Sequence, residues 1–354
     1  MKHKRSARIA SLLLSFLFII TAFLLPVSGA EAQRPRLTVS GAPFGVRFFT
    51  DGVLVVEYCD VEHGGSLQNP AKAAGLCPGD CICRINGAQV HTAAELAEAI
   101  EKNGAVPLCL AYRREGAESE VTLTPLACDK DGRLRTGLLV RDSGAGIGTV
   151  TYVTGENAFG GLGHGICDGG NGKLIPLARG SVMGVRISAL TRGAAGAPGE
   201  LKGHFAGGRM GTLLQNTPCG VFGVLTERPA CPAGEMPIAY RNEVHDGAVT
   251  LWCTVEEDVP REYGAEICAI RRDEPGNKCF TVRVTDKALL DKTGGIVQGM
   301  SGSPIIQDGR LIGAVTHVLI GDPTTGYGIF IENMLNATQV PLPGATPVPL
   351  PSAA

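Results

Sequence analysis

The sequence predicts a mainly β chain, with an export segment, two modest globular domains and a short tail. Three observations carry that prediction. Gly 49 and Pro 22 together make up about one residue in five of the 354, which suits many short strands and turns better than a helical bundle. Hydrophobic residues reach 44% against 19% charged, too apolar for a mostly disordered chain. Lys+Arg 32 against Asp+Glu 34 leave a formal charge of -2. The basic footprint that a phosphate backbone requires is missing, so nucleic acid is not an expected partner.

Lys2, His3, Lys4, Arg5 and Arg8 precede an apolar run from Ile9 to Val27, broken only by Ser11, Ser15 and Thr21. A basic start before such a run is an export signal. The run is just long enough to cross a bilayer, while Ser28 to Ala32 offers small residues for cleavage. A signal peptide over 1–32 and a single-pass anchor therefore both fit, and the rest of the chain is expected outside the cytoplasm. Twelve cysteines permit full disulfide pairing in such a chain, although Cys81 and Cys83 share one side of a strand and are too close to bridge comfortably. No paired CxxC spacing occurs from Cys59 to Cys279, which argues against zinc; no metal and no cofactor are expected.

The first globular stretch, 37–128, reads as short strands with two helices. Gly41 to Val46 leads into one strand and Gly52 to Tyr58 forms a second. Pro70 to Ala74 is a short helix stopped by Gly75, and a turn follows at Pro78, Gly79 and Asp80. Cys81 to Ile85 is a strand closed by the tight Asn86-Gly87 turn. Thr92 and Glu95 form a capping box before a helix whose apolar face carries Leu96, Ala99 and Ile100. The run from Pro70 through Leu76, Pro78, Gly79, Asp80, Ile82 and Ile85 to Asn86 and Gly87 resembles a PDZ domain of the bacterial protease-associated type. That resemblance implies capture of an extended peptide as an added strand, with Gly41, Phe44, Gly45 and Val46 in the loop that holds its carboxylate. The plain alternative is that Gly41 and Gly45 only allow a bend.

The second stretch, 129–339, carries the chemistry. Gly144, Gly146 and Gly148 invite a nucleotide reading, but no GxGxxG register holds and no GK[ST] follows. Those glycines are expected to permit strand crossings in a crowded barrel. His164 stands between Gly163 and Gly165, where other backbone can approach its ring, as a general base needs; a turn histidine bonded to backbone is the plain alternative. In Gly299-Met-Ser301-Gly-Ser-Pro304, a sharp turn presents Ser301 and points the N–H groups of Gly299 and Ser301 at one spot, as an activated hydroxyl and its oxyanion require. Ser303 precedes Pro304 and is expected to turn into the strand. A glycine-flanked His followed by this turn and a hairpin resembles the chymotrypsin-like serine peptidases, which implies a double β-barrel.

From Leu37 to about Leu335 the chain resembles the stage IV sporulation protein B peptidase family. The likeness rests on the segments around His164 and Ser301, on Ala314 to Val318 with His317, and on Gly326 to Glu332. It implies an exported serine endopeptidase in the space between the forespore membranes. Such an enzyme cuts its own N-terminal region and a membrane-bound regulator, releasing an intramembrane protease that matures sigma-K. It also places the triad acid at Asp286. Asp168, four residues after the His, is the local competitor and reads otherwise as a turn residue bonding its own backbone; Asp291 is weaker. His317 lies where chymotrypsin-like enzymes line the pocket for the residue before the scissile bond, and it is expected to read a polar or acidic side chain there, or else to be structural. His204, His245 and Trp252 fall in no motif. Val340 to Ala354, with five prolines, reads as a disordered tail. The competing function is a non-catalytic PDZ scaffold at the membrane.

Overall fold

The computed structural model of the chain describes residues 34–170 and 172–338. The expected export segment and the Pro-rich tail lie outside the described residues. Among those described, no helix is long and apolar enough to cross a membrane. All twelve cysteines are free thiols.

The described residues open with β1 (Arg36–Val39) and the long β2 (Pro43–Tyr58). The chain then builds a small module from β3 (Val61–His63), β4 (Ser66–Gln68), α1 (Pro70–Ala73), β5 (Cys81–Ile85), β6 (Ala88–Gln89), α2 (Ala93–Asn103), β7 (Leu108–Arg114), β8 (Ala117–Leu123), β9 (Leu126–Ala127) and β10 (Leu134–Arg135). Its elements follow from local sequence. Asn69 caps α1 by accepting from the Lys72 amide, and Thr92 with Glu95 closes both bonds of the capping box on α2. Asn86 and Gly87, at φ 49° and 81°, make the tight turn between β5 and β6. The Asp80 carboxylate, only 1% exposed, accepts two bonds of 2.7 Å from the Arg114 guanidinium, tying its turn to β7. Val53, Val55, Leu76, Ile82, Leu96 and Leu110 form the core of the module.

After the module come β11 (Leu138–Val153), β12 (Ala158–Gly161), β13 (Arg179–Thr191), β14 (Glu200–Thr217), β15 (Gly220–Leu225) and β16 (Glu235–Pro237). β2 pairs with β11 along one edge and with β13 along the other, and the circuit β11–β12–β15–β14–β13 returns to β2. The result is a closed six-stranded barrel around Phe44, Val46, Phe48, Val150, Phe159 and Leu213. A second closed barrel follows from β17 (Gly247–Cys253), β18 (Arg261–Ile270), β19 (Phe280–Val284), β20 (Pro304–Gln307), β21 (Arg310–Leu319) and β22 (Asp322–Phe330), in the order β17–β18–β19–β22–β21–β20. Helices α3 (Lys287–Thr293) and α4 (Ile331–Ala337) complete it. The mainly β double barrel is therefore present.

The arrangement of the domains differs from the expected succession of 37–128 and 129–339. The first strand of the barrel precedes the module, so the PDZ-like part is an insertion between β2 and β11. Gly41, Phe44, Gly45 and Val46 consequently do not form a peptide-binding loop. Gly45 faces Ile147 on one side and Met183 on the other, and Val46 faces Gly146 and Val182. Phe44 and Val46 are each 1% exposed. Gly41 is bonded on both its N–H and its C=O. A strand paired along both edges cannot accept a third. In the module, the strand beside α2 is instead the start of β11: Leu138 to Arg141 pair with Tyr58 to Leu54, and Asp142 accepts from the α2 amide of Ala93.

Candidate active site

His164 leaves β12 through Leu162 and Gly163, both left-handed, at φ 64° and 67°. A Cβ on Gly163 would stand 2.9 Å from the Thr316 methyl, and one on Gly165 would stand 2.7 Å from the Thr217 carbonyl. Only glycines on both sides let this loop lie against β21 and the end of β14. Nδ1 of His164 lies 2.8 Å from the Gly165 carbonyl oxygen. A carbonyl can only accept, so Nδ1 carries a proton, and in the neutral imidazole Nε2 keeps its lone pair. Burial pushes the pKa of His164 below the ordinary histidine value, and the Gly165 bond offsets part of that shift.

Ser301 sits in a turn between Gly299, at φ 99°, and Gly302, at φ 94°. The first barrel holds this turn of the second. The Thr149 amide donates to the Ser301 carbonyl at 2.9 Å, Thr149 Oγ1 to the Gly299 carbonyl at 2.9 Å, and Thr151 Oγ1 to the Gly302 carbonyl at 2.7 Å. Gln298 is fixed by β14, whose Leu201 amide donates to its carbonyl at 2.8 Å. In a trans peptide the C=O and the next N–H point oppositely, so the Gly299 N–H is turned away from β14. Neither the Gly299 nor the Ser301 amide donates to a protein group among the described residues, as donors reserved for an oxyanion require. Ser303 is fully buried, in keeping with its expected turn into the strand.

His164 and Ser301 line one cavity of about 300 Å³. Their side chains are not bonded to each other. The Ser301 hydroxyl donates to the Thr316 carbonyl at 2.8 Å. His317, next along β21, lies against the imidazole of His164, with ring centroids 4.8 Å apart and planes inclined by 33°. Burial, then the neighbouring His164 and Lys278, push the pKa of His317 down to about 4.

The structure does not bring Asp286 to this site. Its carboxylate caps α3, accepting from the Leu289 amide at 3.0 Å and from the Gly264 amide at 3.4 Å, and makes no bond to His164. A carboxylate committed to a helix start on the second barrel is not available to orient an imidazole on the first. Asp168 does not replace it: its Oδ1 accepts from the Gly170 amide at 3.1 Å within its own turn. The group that sets the His164 tautomer is a backbone carbonyl, which leaves no mark in a sequence. Thr149 and Thr151 were also missed, although two threonines at i and i+2 in a buried strand are a signal that their hydroxyls have partners.

The SpoIVB peptidase S55 family matches residues 132–335, more than half of the chain. The chain belongs to the SpoIVB peptidase S55 family. A PDZ domain matches residues 68–114 of this serine peptidase. β2, which closes its first barrel, lies outside both matches. Among solved structures, the PDZ domain of the SdrC-like protein from Listeria monocytogenes is 22% identical, with 25% of this chain and 87% of that one covered and a TM-score of 0.21. The active form of the Rv3671c protease from M. tuberculosis is 16% identical over 58% of this chain and 78% of that one, with a TM-score of 0.33. The HtrA-type protease AlgW with decapeptide is 13% identical over 56% and 52%, with a TM-score of 0.33. No curated protein matches the peptidase.

Proposed function

We propose that this S55 peptidase is an exported serine endopeptidase of sporulation signalling. It acts in the space between the forespore membranes, held there or delivered there by the segment at 1–32. It cuts its own N-terminal region and a membrane-bound regulator, and so triggers intramembrane processing of pro-sigma-K. One observation carries the catalytic part: an imidazole whose Nδ1 is held by the Gly165 carbonyl, leaving Nε2 unbonded, lines the same cavity as the serine of a GxSG turn.

In the reaction, Ser301 Oγ turns from the Thr316 carbonyl toward the cavity and attacks the scissile carbonyl carbon as Nε2 of His164 takes its proton. The electron pair of the carbonyl moves to oxygen, which the Gly299 and Ser301 amides receive. Collapse breaks the C–N bond, and His164 returns the proton to the leaving amine. Water then repeats the sequence on the acyl ester, so bonds and protons balance. The Gly165 carbonyl keeps the Nδ1 proton in place and stabilises the imidazolium while it exists. Supporting the signalling role are the family membership and a PDZ module built into the peptidase barrel itself, which couples peptide-binding architecture to the strand carrying Thr149 and Thr151.

The test is self-cleavage. Purified wild type is expected to trim its N-terminal region over time and to cut a candidate membrane regulator, whereas Ser301→Ala does neither. If wild type and Ser301→Ala both stay intact and both leave the regulator whole, the chain is a PDZ scaffold.

A further inference from the structure

The row Gly144, Gly146, Gly148 on β11 opens a binding site. Alternate residues of a strand share a face, and the register here is unbroken: Gly144 stands opposite Phe48, Gly146 opposite Val46 and Gly148 opposite Phe44. A Cβ on Gly144 would collide with the Phe48 ring, and one on Gly148 with the Leu162 side chain. Those two gaps are filled. At Gly146 an added Cβ would meet nothing within 4 Å. The residue opposite is a valine between two phenylalanines, too short to cover the gap. The space left over is the cavity of about 300 Å³ that reaches Ser301 and His164. Its remaining walls include Ile147, Leu162 and Ile166, and among the described residues no Asp, Glu, Lys or Arg lines it.

We propose that this cavity receives the side chain of the substrate residue immediately after the scissile bond, and that it selects a large apolar one. The inference rests on the peptidase reading and deepens it. His164 must hand its proton to the leaving amine, so the residue that owns that amine passes over the His164 loop. The cavity is walled by that loop, from His164 to Cys167, and by β11. On the other side of Ser301, toward β21 and β22, the packing is close: a Cβ on Gly326 would stand 2.5 Å from the His317 carbonyl oxygen and 2.7 Å from the Ile296 side chain. An uncharged recess with few polar groups rewards an apolar side chain and leaves a carboxylate or ammonium without a partner. Selectivity therefore lies on the leaving-group side.

The experiment offers the full chain internally quenched peptides randomised around the cut, with cleavage sites read by mass spectrometry. Leu, Ile, Met or Phe directly after the cut is expected to be favoured over Gly or Asp by at least about tenfold in kcat/KM. Gly146→Leu places a side chain in the recess without a backbone clash, and the ratio of Leu-peptide to Gly-peptide cleavage is expected to fall toward one. Because the readout is a ratio within one protein, a general loss of activity does not imitate it. The wild-type preference is read without any variant. Ser301-dependent cleavage with no apolar preference, or a ratio that Gly146→Leu leaves unchanged, overturns this inference alone. A chain that cuts no peptide overturns the peptidase reading and this inference with it.

Discussion

Thr151→Val tests how the first barrel holds the nucleophile of the second. Thr151 is fully buried and its hydroxyl donates to the Gly302 carbonyl at 2.7 Å. Valine keeps the shape and removes the donor. The loss is the bond plus the cost of a buried carbonyl left without it, together about 2 kcal/mol. For a peptidase of this size that lowers Tm by roughly 3 °C. The same bond fixes the turn on which Ser301 stands, and displacements of about 1 Å in such a turn cost on the order of a hundredfold. Thr151→Val is therefore expected to lose at least about tenfold in kcat with little change in KM, and Thr151→Ser, which keeps the hydroxyl, to recover most of it. Calorimetry and peptide turnover measure both effects. If Thr151→Val melts and turns over like wild type, the hydrogen bond does not position the turn and the reasoning fails.

Asp286→Ala is expected to cost about 1 kcal/mol through the lost cap of α3, and Asp286→Asn only a few tenths, because asparagine caps equally well. A fall in turnover of about 10⁴ for Asp286→Asn at unchanged stability would instead put the carboxylate on the imidazole. The acid limb of kcat/KM is expected below the ordinary histidine value of 6.5, since burial lowers the pKa of His164. Stability follows the same sign. His317 is neutral in the fold down to about 4 but titrates near 6.5 when unfolded, so the unfolded chain binds more protons in that window. Stability is full above pH 6.5 and falls as pH drops toward 4, and His317→Gln is expected to flatten this profile in melting scans. Gly302→Ala drives a Cβ into the Thr149 carbonyl at a left-handed position; it is expected to abolish turnover, and an active Gly302→Ala would mean that the turn is not held as described.

Much of the site was legible because short-range constraints wrote it. A turn that must present a hydroxyl needs glycines at fixed offsets, and Gly299 and Gly302 stand there with left-handed φ. Gly163 and Gly165 were equally visible, since a loop pressed against neighbouring backbone admits no side chain. The helices of the inserted module were legible from their caps. What could not be read is long-range. Phe44, Val46 and Phe48 alternate as any half-buried strand does, and nothing local says whether their partners lie in the PDZ sheet or, about a hundred residues on, in β11. The wrong neighbour turned a barrel strand into a carboxylate loop. Asp286 failed for a related reason: a carboxylate before a helix and a carboxylate before a catalytic serine look alike until the helix start is seen. The Gly165 carbonyl had no signal at all.

The most direct measurement is the rate at which a fluorophosphonate modifies the hydroxyl at position 301, in wild type and in His164→Ala, with the labelled residue identified by mass spectrometry. Modification is predicted at Ser301 alone, slowed by about 10³ or more when the imidazole is removed. Equal rates in the two proteins, or label on Ser303, would show that His164 does not activate this serine and would contradict the account.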